Sequence, residues 1–272
     1  MHYNSANTSR FHFSIADPSI SDELRLVRFD LEEHLSDHFQ LNIEFVSENH
    51  SLSPNKLIKK SALLTIDGEN DRQYVHGIIN ELTHLETGNR FSQYKATIVP
   101  LPWFLNYRKG CRIFQNKSVS DIINTLFFEA GLIESKHFRW DNDRKLPRRT
   151  YCTQYNETEW DFISRLVSEE GIHFHYQHSA QEHIMILGDS KTVFQMIVNE
   201  PTIVFHYKTG LTEQHEHINH FSCSKQLQPT KSTLRDYNFM TPNRSLEQKK
   251  QTPLHSGLED YQCLGHYLTA KE

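Results

Sequence analysis

The chain has 272 residues and a formal net charge of −5 at pH 7. Its composition, 37% hydrophobic and 23% charged residues, is close to that of globular proteins, which excludes wholesale disorder and a fibrous repeat. The slight acidity provides no general attraction to nucleic acid or to an anionic membrane surface, so we expect no nucleic-acid partner.

The cysteines and the N-terminus indicate the compartment. Cys111, Cys152, Cys223 and Cys263 form no C-x-x-C pair, which predicts reduced thiols in a cytosolic protein rather than a zinc or redox site. Residues 1–13 alternate polar and apolar side chains and lack the apolar stretch of a secretory signal. No window approaches the roughly 18 consecutive apolar residues of a membrane helix. We therefore expect no signal peptide and no membrane anchor.

Residues 11–99 show the alternation that is typical of half-buried strands. Phe11, Phe13 and Ile15 are one example of this period of two. The predicted strands span residues 11–15, 24–31, 41–45, 62–66, 73–82 and 91–100. Turn-forming residues such as Ser53 and Pro54 separate them. Several short strands in succession predict a small β-barrel or sandwich.

The period becomes helical at Ser118, where Asp121 three positions later completes a capping box. A second helix is predicted from Thr158, with Asp161 in the equivalent position. Both helices end at a glycine. The apolar stripe of the first helix consists of Val119, Ile122, Ile123, Leu126, Phe127 and Ala130. That of the second consists of Trp160, Phe162, Ile163, Leu166 and Val167.

Alternation returns after the second helix. A hairpin is predicted from residues 172–177 and 184–187, and further strands from 202–207, 218–225 and 232–238. Residues 245–256 are polar and are predicted to be mobile. The chain therefore reads as β, then α/β, then β.

Two runs of histidines suggest a metal site. They are His173, His175, His178 and His183, and then His215, His217 and His220. Alternate strand residues share a face, so two histidines of a run can approach one ion. A third donor would have to come from a distant residue such as His206 or Glu213, and there is no H-E-x-x-H pattern. We therefore favour ordinary strand histidines, and predict no metal and no cofactor.

Other patterns of catalysis are absent or weak. The chain has no G-x-S-x-G elbow and no glycine-rich phosphate loop. The carboxylate pairs Glu32-Glu33 and Glu169-Glu170 consist of adjacent residues that point apart, which indicates solvated faces. We predict no catalytic residue. A basic stretch contains Arg139, Arg144, Lys145, Arg148 and Arg149. It either binds an acidic surface of a partner or contacts only water.

One long motif and several shorter ones occur in a fixed order. The long motif, RTYCTQYNETEWDFISRLVSEEGIHFHY, spans residues 149–176. The shorter ones are GIINEL at 77–82, P-x-x-W-x-L at 100–105, RIFQNKSVSDII at 112–123 and LRDYNFMTP at 234–242. Together they resemble the N-terminal, tail-hub-like region of VgrG, the spike protein of bacterial type VI secretion systems, which is related to contractile phage tail hubs. The resemblance covers about residues 10–265.

The resemblance implies a mainly β fold in which small β-barrels of phage tail-hub type flank an α/β segment. The first barrel would span residues 1–101, the middle segment 102–192 and the first part of a second barrel 193–272. Family members continue beyond the position of Thr269, so we expect an incomplete second barrel in a chain that stops at Glu272. The stretch LEDYQCLGHY, residues 258–267, lacks the proline and glycine turn usual there.

The resemblance also implies a function and partners. The complete protein would be a homotrimer whose two barrels per subunit form a pseudo-sixfold ring. That ring would dock on the hexameric Hcp tube and carry a piercing tip for effector delivery, with effector or adaptor proteins as further partners. The protein would assemble in the cytoplasm and be secreted by the type VI system. The alternatives are a phage-type tail hub and, from another class, a histidine-based metalloenzyme domain.

Overall fold

The structure is a computed structural model that describes residues 10–17, 20, 24–68, 72–191, 194, 205, 218, 220–253 and 257–263. The chain divides into two compact units, Met1–Met196 and Ile197–Glu272. The fold is mainly β with an α/β segment, as predicted from the sequence. The division into three segments stays a prediction.

The first unit begins with a six-stranded antiparallel sheet in the order β1-β4-β5-β6-β3-β2. It consists of β1 (Phe11–Ile15), β2 (Arg25–Glu32), β3 (Gln40–Ser47), β4 (Ser61–Asp67), β5 (Arg72–Thr87) and β6 (Ser92–Val99). A short helix, α1 (Pro54–Leu57), joins β3 to β4. The ring of Phe11 on one edge strand lies 5.3 Å from that of Phe29 on the other. The sheet therefore curls into a half-barrel around its buried face, and its strands are confirmed.

Both predicted helices are present, with the predicted caps. They are α2 (Val119–Glu129) and α3 (Glu159–Glu169). Ser118 and Asp121 form a capping box at α2, as do Thr158 and Asp161 at α3. The predicted stripes are buried apart from Ala130, which caps the C-terminus of α2 and is half-buried. A 3-10 helix, Leu101–Tyr107, carries the P-x-x-W-x-L pattern.

Three strands of the middle region were not predicted. They are β7 (Lys109–Ser118), β8 (Phe138–Asp141) and β9 (Arg148–Thr158). β7 and β9 form a two-stranded ribbon that packs against the two helices. β8 pairs in parallel with β11 (His183–Gly188), which in turn forms the predicted hairpin with β10 (His173–His178). Only a few positions of the ribbon are buried, so its sequence shows no clear alternation.

The second unit contains a three-stranded sheet in the order β13-β12-β14. Its strands are β12 (Lys231–Asp236), β13 (Leu246–Gln251) and β14 (Glu259–Cys263). β13 contradicts the prediction of a mobile stretch, because its polar residues pair antiparallel with β12. Of the predicted strand at 218–225, residues 220–225 are not in a strand. Residues 202–204, 206–207 and 219 lie outside the described residues. In the described ranges, no helix is long and apolar enough to cross a membrane.

Candidate interaction surface and histidine network

The long motif ties strand β9 to helix α3 through one arginine. The Arg149 guanidinium donates to Glu169 at 2.6 Å and to Glu170 at 2.7 Å. The Glu170 side chain is 9% exposed, and those of Arg149 and Glu169 are each 19% exposed. The prediction that this carboxylate pair forms a solvated face is wrong. The two acids end a helix, where one planar guanidinium can reach both.

A second arginine extends this network along the helix. Arg165 donates to Glu157 at 2.7 Å and to Glu169 at 3.3 Å. Burial works to raise the pKa of Glu169, but the bonds from Arg149 and Arg165 outweigh it and hold that pKa below its ordinary value. The charged positions of the motif therefore serve to position α3 against its strand.

A buried carboxylate that the sequence did not reveal lies at the start of α3. Glu159 is 4% exposed and forms ion pairs with Arg108 at 2.7 Å and Arg112 at 3.4 Å. Arg112 also pairs with Glu129, the last residue of α2. Only the fold brings two arginines to it, so no signal in the sequence was available.

The basic stretch does not form one continuous patch. Arg144 pairs with Asp189 at 3.3 Å, and Arg149 is held by α3. Arg148 donates to the carbonyl oxygen of Asn116 at 3.0 Å. Each of these three arginines therefore has a partner within the chain.

The outer face of the β7–β9 ribbon is the clearest candidate interaction surface. Facing pairs on this side are Cys111 with Tyr155, Ile113 with Thr153, and Gln115 with Tyr151. Tyr155 is 76% exposed, Ile113 58% and Tyr151 56%. Exposed aromatic and aliphatic side chains in one patch are typical of protein interfaces. We define these six residues as the ribbon face.

The first histidine run is divided between two faces of the β10–β11 hairpin. His173 and His175 point to one side, where their rings lie 5.0 Å and 5.5 Å from that of Phe194. His178 faces His183 on the neighbouring strand, on the opposite side. The four histidines therefore do not share one site, because successive strand residues alternate in direction.

Close to the end of β6, two histidine rings accept hydrogen bonds from backbone N–H groups, as a neighbouring strand would. The backbone N–H of His76 on β5 donates to Nδ1 of His178 at 3.1 Å. The backbone N–H of Leu101 donates to Nε2 of His183 at 2.9 Å. Backbone donors left without a partner at a buried edge are costly, so these two rings stabilise the junction of the sheet with the hairpin.

The same contacts assign the protons of the buried rings. Nε2 of His183 accepts a hydrogen bond, so its Nδ1 carries the proton and donates to Nδ1 of His76 at 2.9 Å. His76 then carries its proton on Nε2, which lies 2.6 Å from Oγ of Ser61. Burial and the neighbouring His76 and His178 lower the pKa of His183 to about 3. The sequence did not single out His76, since one buried histidine in an alternating strand carries no special signal.

A further buried histidine connects the sheet to α3. The His38 ring stacks on Trp160 with their centroids 3.8 Å apart. Its Nδ1 lies 2.7 Å from the hydroxyl oxygen of Tyr176. Burial lowers the pKa of His38 to about 3. Nothing in the sequence distinguishes this histidine from the others.

The arrangement does not assemble a metal centre among the residues that the structure describes. No group of three or more His, Cys, Asp or Glu side chains there is placed to hold an ion. His215 and His217 of the second run, with His206 and Glu213, lie outside the described residues, and His220 is exposed. In the described part of the chain, the rings of His178 and His183 accept hydrogen bonds from backbone N–H groups, and the ring of His183 contacts that of His76.

Solved structures share this architecture. An E. coli protein, c3393, described as a component of the type VI secretion system with structural similarity to the T4 bacteriophage tail proteins gp27 and gp5, matches with a TM-score of 0.63. Their identity is 21%, over 72% of this chain and 53% of that one. The tail protein from Neisseria meningitidis MC58 matches with a TM-score of 0.64 at 12% identity, over 94% of this chain and 72% of that one. The fold is therefore that of phage tail-hub proteins.

The sequence comparisons define the family. The family described as phage tail baseplate hub (GPD) matches residues 32–272. The type VI secretion system spike protein VgrG4b of Pseudomonas aeruginosa is 33% identical over 98% of this chain and 32% of its own length. The chain belongs to the phage tail baseplate hub family and is homologous to VgrG spike proteins. It spans about a third of the length of the curated relatives it matches.

Proposed function

We propose that the chain is a structural hub module of a type VI secretion spike, and that it acts through protein interfaces and not as an enzyme. The similarity to VgrG4b over 98% of the chain carries this proposal. The described residues support it, because the buried Glu159 and the rings of His76, His178 and His183 contact groups on other elements of the first unit. The module would belong to a longer spike protein, assembled in the cytoplasm and secreted without a signal peptide.

We further propose that the complete protein assembles with pseudo-sixfold symmetry. If the complete protein is a homotrimer, each subunit contributes two units that contain β-sheets. Three subunits would then present six such units around the ring, and we propose that this ring docks on an Hcp tube with sixfold symmetry. The far side of such a ring would carry the piercing tip and the effector or adaptor proteins.

The ribbon face is our candidate for a protein contact in this assembly. It combines two exposed tyrosines with an exposed isoleucine on a rigid ribbon that is fixed by α2 and α3. Tyrosine supplies a large contact area with few rotatable bonds, which favours interfaces.

Co-sedimentation with preassembled Hcp tubes from the same organism tests the hub role. We expect the full chain to pellet with the tubes. The double variant Tyr151→Ser/Tyr155→Ser should pellet less, whereas Val27→Ser, which changes a 57% exposed residue of β2, should not differ from the unmodified chain. A chain that stays in the supernatant at all tube concentrations would contradict the proposed docking. Binding to a phage tail-tube protein instead would favour the phage-type hub.

A further inference from the structure

A cleft in the first unit lies between the half-barrel sheet and the 3-10 helix. Its volume is about 660 Å³, which is within the range of pockets that enclose a ligand. The floor is apolar and includes Ile58, Ile78, Leu101, Phe104 and Leu132. An apolar cleft of this size is a surface on which a large side chain of another molecule would gain burial.

Two backbone irregularities converge on this cleft. Lys59 adopts a left-handed conformation with φ of 68°, which is unfavourable for a residue other than glycine. On β5, Asn80 occupies a bulge, where the register to β6 shifts between Ile79 and Glu81. Both Lys59 and Asn80 line the cleft. Bulges and strained residues frequently direct side chains at binding sites, so their coincidence here points to a ligand.

Two basic residues, Lys59 and Arg108, line the cleft, and they differ in whether a carboxylate balances their charge. Arg108 forms an ion pair with the buried Glu159 at 2.7 Å, so its charge is balanced. Lys59 has no ion pair with a described residue; its ammonium group lies 5.4 Å from the centre of the Phe104 ring. The cleft therefore combines an apolar lining with one lysine whose ammonium group can form an ion pair with a carboxylate of a partner.

Asn80 and Tyr107, which also line the cleft, are linked by a hydrogen bond. The hydroxyl of Tyr107 donates to Oδ1 of Asn80 at 3.4 Å and receives the indole N–H of Trp103 at 3.4 Å. Tyr107 is nevertheless 68% exposed. This exposed ring extends the apolar surface outwards from the cleft, as is needed for a ligand that continues beyond it.

We propose that this cleft binds an extended segment of a partner protein in which a large apolar side chain is flanked by Asp or Glu. The apolar residue would fill the floor and a neighbouring carboxylate would pair with Lys59. The cleft is open to solvent on one side, which fits a chain that passes through it better than an enclosed small molecule. This inference goes beyond the hub role, since it concerns a surface that does not include the ribbon face.

Fluorescein-labelled hexapeptides test the proposal on the full chain by fluorescence anisotropy. A central Leu, Ile, Phe or Trp is flanked on both sides by Glu, by Ser or by Lys. We expect saturable binding for glutamate-flanked peptides with at least one of the apolar residues, and weaker binding for the serine and lysine series. If no glutamate-flanked peptide binds at millimolar concentration, or the lysine series binds equally well, the proposal is overturned.

Variants of Lys59 separate binding from folding. Lys59→Gly removes the charge and also relieves the left-handed conformation, so the midpoint of thermal unfolding should not fall. Affinity for the glutamate-flanked peptides should fall by about tenfold, as for the loss of one charge-assisted hydrogen bond. Lys56→Gln, on the exposed side of α1 and outside the cleft, is the matched control and should leave affinity unchanged.

Equal affinities of Lys59→Gly and the unmodified chain would overturn the proposal. Hcp co-sedimentation of the same variants keeps this outcome distinct from a failure of the hub role.

Discussion

The Nδ1 atoms of His76 and His183 lie 2.9 Å apart, and only one of them can carry a proton. Adding a proton to His76 would place two N–H groups against each other, because Nδ1 of His183 is already the donor. Adding one to His183 would direct an N–H at the backbone N–H of Leu101. The folded structure therefore requires both rings to be neutral.

This requirement predicts acid-induced loss of stability. The pKa of His183 and that of His38 are lowered from 6.5 to about 3, in both cases mainly by burial. Between these values the unfolded chain binds more protons than the folded one, so stability is complete above pH 6.5 and is lost as the pH falls towards 3. We expect each histidine to cost about 2 kcal/mol between pH 7 and pH 5.

Urea unfolding at a series of pH values measures this effect. His183→Gln keeps an acceptor for Leu101 and a donor for His76, but it does not titrate. The variant should therefore show a shallower fall of the free energy of unfolding with decreasing pH. A free energy that is equal at pH 7 and pH 5 in the unmodified chain would contradict the assigned neutral network.

Trp160→Ala should destabilise the first unit by about 3 to 5 kcal/mol, as large-to-small changes of buried aromatic residues do. Trp160 is 8% exposed, and it packs against the His38 ring and edge-on against that of Phe174. Thermal unfolding followed by circular dichroism measures the loss. The control is Phe128→Ala on α2, which changes a 79% exposed side chain and should leave the midpoint nearly unchanged. An unshifted midpoint for Trp160→Ala would mean that its packing contributes nothing.

The elements that could be predicted from the sequence are those whose capping residues and apolar pattern lie within the element itself. Residues 118–131 contain a cap, an apolar stripe and a terminating glycine, so the helix α2 needs no tertiary information. The strands of the half-barrel alternate because one face is buried along much of its length, as in β3. Ribbon strands such as β7 escaped prediction, since their partners lie far away in the sequence and few of their residues are buried.

The site was less predictable than the fold for the same reason. His76 and His183 are 107 positions apart in the sequence. Glu159 on α3 meets Arg108, which follows the 3-10 helix, and Arg112 on β7. No local spacing encodes such contacts. The histidine run was visible in the sequence, but which ring faces which side depended on the register of the hairpin.

Gly77, the first residue of the GIINEL motif, permits close packing of β5 on β6. A Cβ atom there would lie 2.6 Å from Cγ2 of Ile98 and 3.0 Å from the carbonyl oxygen of Val99. Gly77→Ala should therefore cost about 1 to 3 kcal/mol through overpacking. Gly110→Ala is the matched control, because a Cβ atom at that strand position meets nothing within 4 Å. Chemical denaturation measures the free energy of unfolding of both variants. Equal values would show that the sheet accommodates the extra methyl group without loss of stability.

The isolated chain should be a monomer or a weak trimer. In the proposed spike, parts of the longer protein contribute to trimer contacts, and a small interface does not offset the entropy cost of association. Light scattering across a concentration series measures the mass. A tight trimer at nanomolar concentration would show that the surfaces of this chain are sufficient by themselves.

The scaffold interpretation and the metalloenzyme alternative predict different metal contents for the purified protein. His173 and His175 share one side of β10, but they provide two donors, whereas a catalytic zinc site normally has three from the protein. We expect protein purified without a histidine tag to carry less than about half an equivalent of any transition metal. A chelator should leave its unfolding midpoint unchanged, because a structural metal would contribute to folding stability. Elemental analysis and thermal unfolding are the measurements. Stoichiometric zinc that is lost together with stability in His173→Phe/His175→Phe would overturn the scaffold interpretation of this strand.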